Sequence, residues 1–331
     1  MGDVEVITES GTNMLTTASW EAFAAAEGTA FHTGRFLLSW WHDRQAGNPA
    51  SRLVTAKVVD DERVVGICAF ELDSGLLTFA GGRDVVDYMG PVAVAGREKE
   101  VAAALSQWMF DALPWTRASL IGLIHNDAAA QAIIDEVVRI APTAVVEPYD
   151  RAPRIEEAPQ GYLGLLNSKR RGDILRKRNR LIEAVGGLEL IVSTRATVGD
   201  SLERLLAWKA DAGPATREFV ADYGDFVRTM VAELAAVDAV HVVELHAAGR
   251  PLASAIMLAH GNTASIYNMA YDMSLATDAQ AGLAPGVVLV SLLAERTLDR
   301  GLRFDFLKGA QDYKLRLGGV PVDLIGITVE R

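Results

Sequence analysis

Side chains of different chemistry lie close together near residue 310. Tyr313 and Lys314 are adjacent, and Asp305 stands a few residues earlier between Phe304 and Phe306. A phenol is neutral at pH 7 and can give a proton or a hydrogen bond to a group that becomes negative during a reaction. A lysine ammonium can neutralise a phosphate or a carboxylate. Tyr313 and Lys314 are therefore candidate catalytic residues, and the alternative for Tyr313 is capping a helix or filling a gap in the core.

Asp305 is the third candidate catalytic residue, and two roles are open to it. On a strand, its side chain points to the face opposite that of Phe304 and Phe306. If the aromatic rings fill the core, Asp305 faces a cleft and can act as a general base. If Asp305 is buried instead, it forms a structural hydrogen bond to Lys314 or to a loop amide.

A loop that leads into a helix precedes these residues. Pro285 and Gly286 mark the start of the predicted helix, and Gly301 marks its end. The N-terminus of a helix offers free backbone N–H groups and the positive end of the helix dipole. The loop therefore predicts a binding site for a phosphate-bearing donor, built from Gly282, Ala284, Gly286 and Val287.

The segment from Tyr267 to Lys314 resembles the acyltransferases of the GNAT superfamily, and more closely its FemAB-like, cellulose-biosynthesis-associated (CelD/BcsL-type) branch. The similarity extends upstream to Ser168-Lys169-Arg170-Arg171 and covers most of residues 160–331, with a weaker match around Asp87-Tyr88. The shared pattern consists of an aromatic strand, a Pro-Gly helix start, a Gly, an Asp-containing strand and Gly-x-x-x-Tyr-Lys. Here these features are Tyr271, Pro285-Gly286, Gly301, Phe304-Asp305-Phe306, Gly309 and Tyr313-Lys314.

The resemblance implies an N-acyltransferase that moves an acyl group from acyl-CoA, as co-substrate, to a small or polymer-borne amine. In GNAT enzymes a tyrosine just past the fifth strand commonly protonates the departing thiolate, which implies this role for Tyr313. The substrate contacts that it implies are Asp87, Tyr88, Trp208 and Tyr271. Three alternatives stay open: a carrier-protein donor, an aminoacyl-tRNA-dependent FemAB-like transferase, and a non-catalytic GNAT-fold binding module in polysaccharide biosynthesis.

A basic segment at residues 167–180 is the other local feature, with seven Lys and Arg residues against one Asp. At helical spacing, Leu175, Leu181 and Ile182 are expected to face the protein. The basic side chains either form a solvated helix face or bind the phosphates of the donor, of a carrier protein or of tRNA. In the second case Arg176 and Arg178 are expected to contact the donor.

The elements that must position these residues follow one order in the second half of the chain. Hydrophobic periodicity and turn residues predict β-α-α-β-β-β-α-β, the order of a GNAT domain. The predicted elements are strand 188–193, helices 202–212 and 219–236, strands 241–246, 252–260 and 265–271, a helix that begins at Pro285, and strands 302–307 and 322–329.

The first half of the chain can be read in a similar order. Its predicted elements are helices 20–26 and 36–45, strands 52–59, 63–70 and 76–80, helix 98–113 and strand 118–124. A linker rich in Pro, Glu and Arg is predicted near residues 147–160. The predicted fold class is therefore α/β, with tandem GNAT-like modules that each hold a mixed, mostly antiparallel sheet flanked by helices. We expect residues 1–150 to shape the cleft or bind the acceptor, and residues 160–331 to bind the donor and catalyse transfer.

Composition limits the class of protein. The chain has 331 residues, a net charge of −11 and a single cysteine, Cys68. The length favours two domains, and the negative charge argues against a general nucleic-acid coat. One cysteine excludes an intramolecular disulfide, and without a His/Cys cluster no metal is expected. No secretory signal or membrane-spanning stretch is recognisable, so a cytoplasmic location is expected.

Overall fold

The computed structural model describes residues 4–276 and 283–331. The chain divides into two units, of which the first comprises Met1–Ala152 with Val322–Arg331, and the second comprises Pro153–Pro321. The sequence-based division at residues 150 and 160 differs from this one at the end of the chain. The reason is that the last strand pairs with a strand of the N-terminal half, from Leu324↔Ile124 to Glu330↔Arg117.

The first unit surrounds its sheet with four helices among the described residues. The helices are α1 (Ala18–Glu27), α2 (Gly34–Gly47), α3 (Glu98–Ala112) and α4 (Ala128–Ile140). The strands are β1 (Glu5–Ser10), β2 (Arg52–Asp60), β3 (Arg63–Asp73), β4 (Leu76–Phe79), β5 (Val92–Ala93), β6 (Arg117–Ile124) and most of β13 (Val320–Glu330). Their order is β1-β2-β3-β4-β6-β13, with β5 paired to β3. Strand β4 runs parallel to β6, and the other neighbouring strands of this unit are antiparallel.

The second unit repeats this pattern. Its helices are α5 (Tyr162–Leu165), α6 (Ser168–Val185), α7 (Val198–Asp211), α8 (Pro214–Ala235), α9 (Pro285–Leu298) and α10 (Asp312–Arg316). Its strands are the end of β7 (Val145–Ile155), β8 (Leu188–Val192), β9 (Val240–Ala247), β10 (Arg250–His260), β11 (Thr263–Tyr271) and β12 (Arg303–Asp305). The order is β7-β12-β11-β10-β9-β8, and again one pair, β11 with β12, is parallel. The expected fold class is thus confirmed.

The boundary between the units, at Ala152 and Pro153, falls inside the predicted linker near residues 147–160, but residues 145–155 form strand β7 where an irregular segment was expected. Its end pairs with β12 through Phe304↔Ile155 and Asp305↔Arg154. Pro153 is compatible with this ladder because only its carbonyl takes part, accepting the Phe306 amide at 3.0 Å. Strand β7 comes at the end of the first half of the chain, but its end pairs within the second unit. Strand β13 comes at the end of the second half, but it pairs with β6 of the first unit.

The β9–β10 hairpin shows how local sequence sets the sheet. Ala248 and Gly249 both have positive φ, at 49° and 77°. Two successive residues of this kind form the two-residue turn whose twist matches that of paired strands. The turn brings Ala247 opposite Arg250, as the Gly-Arg-Pro sequence predicts.

A buried apolar layer joins α9 to the sheet of the second unit. Leu289, Leu293 and Ala294 of α9 pack in one cluster with Phe304 and Phe306. The two aromatic rings meet edge to face, with centroids 4.8 Å apart. Since burying apolar surface is the main favourable term in folding, this cluster fixes the positions of α9, β12 and the loop after β12.

The described residues show neither a membrane span nor a metal centre. Among them, no helix combines the length and apolar character needed to cross a bilayer. The same residues contain no group of three or more His, Cys, Asp or Glu side chains placed to hold a metal ion. Cys68 is buried on β3, and burial raises the pKa of its thiol.

Candidate active site

The parallel pair β11–β12 separates early. Their ladder has three pairs, from Thr263↔Arg303 to Ser265↔Asp305. Strand β11 continues to Tyr271, whereas β12 ends at Asp305. Beyond Ser265, β11 therefore extends past the end of β12, and the sheet opens there.

The start of α9 lies against the part of β11 beyond Ser265. Pro285 occupies the first turn of α9, and Ala284 is its N-cap. A Cβ at Gly286 would lie 2.5 Å from Met269 Cε and 3.1 Å from Tyr271 Cδ1. Gly286 thus permits close packing of the helix on the strand. Gly282 lies outside the described residues.

We expect Gly286→Val to destabilise the second unit, because the added side chain overlaps Met269 and Tyr271. Overpacking of this kind typically lowers the free energy of unfolding by about 1–3 kcal/mol. Thermal denaturation of the variant checks this, with Gly172→Ala as a control, since a Cβ at Gly172 would meet nothing within 4 Å. An unchanged melting temperature for Gly286→Val would show that the helix can shift to accept the side chain.

A cleft of about 870 Å³ lies between α6, the first turn of α9 and α10. Val287 and Tyr313 face it from α9 and α10, and the remaining lining comes mainly from the first half of α6. Its basic lining residues are Lys169, Arg170, Arg176, Lys177 and Arg316. The volume is within the range of small-molecule sites.

Helix α6 is fixed by its cap and by one apolar strip. Asn167 caps the helix, its side-chain oxygen accepting the Arg170 amide at 3.0 Å. Ile174 and Leu181 are the buried apolar residues. The expectation for Leu175 and Ile182 is wrong, because their exposed fractions are 38% and 44%.

Arg178 shares the buried face of α6 and does not line the cleft. Its guanidinium donates to Ser291 Oγ at 3.2 Å and to Glu295 Oε2 at 2.8 Å. Only 12% of its side chain is exposed. Because Arg178 lies one turn from Ile174 on the helix, it joins α6 to α9, in contrast to Arg176, which lines the cleft.

The positive charge of the cleft is only partly balanced. Arg176 and Lys177 both pair with Asp173, and the hydrogen bond from Lys177 holds the pKa of the Asp173 carboxyl below its ordinary value. Lys169 and Arg170 have no carboxylate partner among the described residues. Both lie in the first turn of α6, which contains no acidic residue. Positive charge at this end of a helix is unfavourable, so helix stability does not explain it.

Tyr313 lines the cleft from α10. Its ring packs on the edge of the apolar cluster, and burial raises the pKa of its phenol. Its hydroxyl has no hydrogen-bond partner within residues 4–276 and 283–331. A neutral phenol in this position keeps its proton and can donate it.

Asp305 and Lys314 are buried beneath Tyr313, with exposed fractions of 3% and 6%. Asp305 Oδ1 accepts the Leu307 amide at 2.7 Å. Lys314 Nζ donates to the carbonyls of Leu307 at 3.1 Å and Lys308 at 2.6 Å. Leu307 has a φ of 58°, a conformation that a residue with a branched side chain rarely adopts. These contacts hold the turn that leads into α10.

Tyr162 holds the other end of α10. This residue is 1% exposed, and its hydroxyl donates to the Leu317 carbonyl at 3.0 Å. The turn after β12 and this bond therefore fix both ends of the short helix that carries Tyr313.

The residues proposed to bind substrate lie on different elements. Tyr271 lies beside Gly286 at the start of α9, and Trp208 is half-buried on α7. Asp87 and Tyr88 belong to the first unit. Tyr88 is buried there with its ring edge toward Phe31, so it is not part of an exposed turn.

Two further polar residues of the second unit, Arg316 and Asn268, are not among the candidates that the sequence predicts. Arg316 lines the cleft one turn after Tyr313. Asn268 of β11 accepts a hydrogen bond from Lys209 of α7 at 2.8 Å. Asn268 is a polar residue inside a strand rich in aromatic and apolar side chains, and this contrast could have identified it from sequence. Its partner Lys209 could not be identified in the same way, because it is distant in sequence.

Comparison with known proteins agrees with this architecture. Residues 168–315 match the family described as acetyltransferase (GNAT) domain. No curated protein matches the chain.

Solved structures with a similar fold include two that extend over nearly the whole chain. A conserved protein of unknown function from Bacteroides thetaiotaomicron is 12% identical, with a TM-score of 0.61 and coverage of 98% of this chain and 100% of that one. FemX is 9% identical, with a TM-score of 0.61 and coverage of 96% of each chain. At such identities the likeness concerns the fold alone. The segment that carries the cleft, residues 168–315, is thus similar to GNAT acetyltransferase domains.

Proposed function

We propose that the second unit transfers an acyl group from an acyl-CoA-type donor to an amine. One observation carries this proposal: the first turn of α9, the basic first turns of α6 and Tyr313 line one cleft. The same turn of α9 packs on β11 beyond the end of its ladder with β12. The similarity of residues 168–315 to GNAT acetyltransferase domains supports it.

The cleft suits a phosphate-bearing donor. Lys169 and Arg170 provide positive charge that no described carboxylate neutralises. Gly286 and Val287 lie in the first turn of α9, where backbone N–H groups have no acceptor within the helix. Such groups, together with the helix dipole, favour anions. Val287 adds an apolar wall beside Tyr313.

The chemistry requires a proton at the leaving group. The amine nitrogen bonds to the acyl carbon, the carbon–sulfur bond breaks, and the sulfur leaves as a thiolate. Tyr313 would give its phenolic proton to this sulfur and regain one from the proton that the amine releases. The other contribution of the chain is positioning, which converts an encounter between two substrates into a reaction within one complex.

The FemX-like fold supports a second candidate, transfer from an aminoacyl-tRNA. The fold similarity extends over 96% of both chains, and FemAB-like transferases are the family that the sequence itself resembles. The basic first turns of α6 would then contact the phosphates of the tRNA.

Titration of the whole chain with acetyl-CoA, a longer acyl-CoA and charged tRNA separates these functions. Native mass spectrometry and calorimetry should show a one-to-one complex with an acyl-CoA and none with tRNA. Binding of charged tRNA alone would establish the second candidate, and no complex with any of the three would contradict both.

We expect the double variant Lys169→Ala/Arg170→Ala to weaken acyl-CoA binding by about 2- to 30-fold at low salt, as exposed ion pairs contribute up to about 1 kcal/mol each. The loss should shrink near 1 M salt, where the screening length is about 3 Å. Calorimetry at the two salt concentrations measures it.

The control is the double variant Arg171→Ala/Arg180→Ala. It removes two exposed arginines of α6 that do not line the cleft. Equal losses in both double variants would mean that α6 acts only through its total charge.

A further inference from the structure

Strand β11 presents two faces with different neighbours. Met269 and Tyr271 face Gly286 of α9. Asn268 is the neighbour of Met269 along the strand and contacts Lys209 of α7 instead. Since successive side chains of a strand point to opposite faces, α9 and α7 lie on opposite sides of the sheet.

A bulge in β11 lies where the sheet opens. Its register against β10 passes from Ile256↔Asn268 to Met257↔Ile266, so Tyr267 is an extra residue. The ladder with β12 has already ended at Ser265↔Asp305. Asn268 therefore lies just beyond the end of the β11–β12 ladder, with its side chain on the α7 side. Bulges often redirect side chains beside active sites.

Lys209 is a cation without a counter-ion at this point. Its Nζ donates to Asn268 Oδ1 at 2.8 Å and lies 4.7 Å from the centre of the Phe219 ring. Burial lowers the pKa of Lys209, and no described carboxylate pairs with it. A half-buried ammonium held by one neutral oxygen and one aromatic face has unused capacity to bind an anion.

The orientation of the Asn268 amide follows from its two donors. Its Oδ1 accepts both Lys209 Nζ and the Met269 amide, the latter at 2.9 Å. Two donors on one atom identify that atom as the oxygen. The Nδ2 group has no acceptor among the described residues, so it offers N–H donors beside the ammonium.

We propose that the amine acceptor carries an anionic group, a carboxylate or a phosphate, which Lys209 Nζ and Asn268 Nδ2 bind on the α7 side of the sheet. This inference rests on the proposed acyl transfer, since it assigns the acceptor side of the same site. Lys209 and Asn268 position the acceptor, and the reaction itself needs neither of them to exchange a proton.

The test uses matched pairs of amines with acetyl-CoA and the whole chain. The pairs are β-alanine with propylamine, and O-phosphoethanolamine with ethanolamine. The wild type should use the anionic member of at least one pair with a kcat/KM about 10- to 100-fold higher, in line with hydrogen bonds to charged groups. The pair that shows the preference distinguishes carboxylate from phosphate.

Lys209→Met should remove this preference by raising KM for the anionic amine, so that kcat/KM falls more for the anionic amine than for the neutral one. Lys209→Gln serves as the second charge-removing variant, because its amide can still donate to Asn268. Lys209→Arg should restore part of the preference. A merely structural role would lower kcat/KM for both members equally. That result, or a wild type that prefers the neutral amines, would overturn the inference.

Calorimetry with the acetylated products tests the acceptor site independently of which donor the protein uses. N-acetyl-β-alanine should bind the wild type about 10- to 100-fold more tightly than N-acetylpropylamine, and Lys209→Met should abolish the difference. If acetyl-CoA supports no turnover but this difference is found, the donor assignment fails and the acceptor site stands. Equal binding of the two products by the wild type refutes the acceptor site.

Discussion

Tyr313→Phe should lower kcat by roughly 10²–10⁴-fold, the usual contribution of a general acid. The substitution removes only the hydroxyl, which has no hydrogen-bond partner among the described residues, and it keeps the ring that packs on the core. Donor affinity and melting temperature should therefore hardly change. Steady-state kinetics with an acyl-CoA and a responsive amine, combined with thermal denaturation, checks this.

Tyr162→Phe is the matched control, because it removes a phenol hydroxyl that does have a partner. The bond from Tyr162 to the Leu317 carbonyl is buried, so its loss should lower the free energy of unfolding by about 1–3 kcal/mol. Tyr313→Phe should therefore lower turnover and keep stability, whereas Tyr162→Phe should lower stability. Near-normal turnover in Tyr313→Phe would remove this residue from the mechanism.

Much of the fold of the second unit follows from local sequence. The order of its elements was predicted because the hairpin turn at Gly249 and the helix start at Pro285 are specified by nearby residues. The structure places β9 at Val240–Ala247, β10 at Arg250–His260 and α9 from Pro285. Signals of this kind depend on a few neighbouring side chains and need no tertiary information.

Pairing between distant segments could not be read in this way. The stretch near residues 147–160 contains Pro148 and Pro153 and predicts a linker, yet its residues up to Ile155 belong to strand β7, whose end pairs with β12. The last strand likewise belongs with β6, far earlier in the chain. Local composition carries no information about which edge of a sheet is available for a strand to pair with.

The helix phase of α6 explains the mixed outcome at the candidate site. A helix places residues three and four apart on one face, and a shift of one position in the assumed phase exchanges the buried and exposed sets. The structure turns Ile174, Arg178 and Leu181 toward the protein; the sequence correctly favoured Leu181 but also Leu175 and Ile182, which are exposed. Arg176 consequently faces the cleft and Arg178 faces α9. Apolar residues lie on both faces, so the pattern alone could not select the phase.

Gly286 illustrates a different limit. The sequence indicates a glycine at a helix start, which fits both an anion cradle and close packing. Only the positions of Met269 and Tyr271 show that a side chain would meet the strand. A variant at Gly286 therefore changes packing and cannot by itself report on donor binding, in contrast to variants at Lys169 and Arg170.

The turn after β12 is expected to depend on Lys314. We expect Lys314→Met to lower the free energy of unfolding by about 2–4 kcal/mol, because hydrogen bonds to charged groups contribute about 1.5–3 kcal/mol each and Met restores part of the packing. The variant leaves the carbonyls of Leu307 and Lys308 without their donor. The positive φ of Leu307 then loses one of the contacts that hold it.

Chemical denaturation of Lys314→Met and Arg316→Met separates a structural lysine from a catalytic one. Arg316 lies on the same short helix, but its side chain is 70% exposed, so its replacement should change stability by no more than about 0.5 kcal/mol. Lys314→Met should lose stability and, through displacement of Tyr313, turnover as well. If Lys314 instead contacts the substrate, the variant will keep its stability and lose only turnover. That outcome would contradict the role that two backbone carbonyls assign to Lys314 and return it to the candidate catalytic residues beside Tyr313.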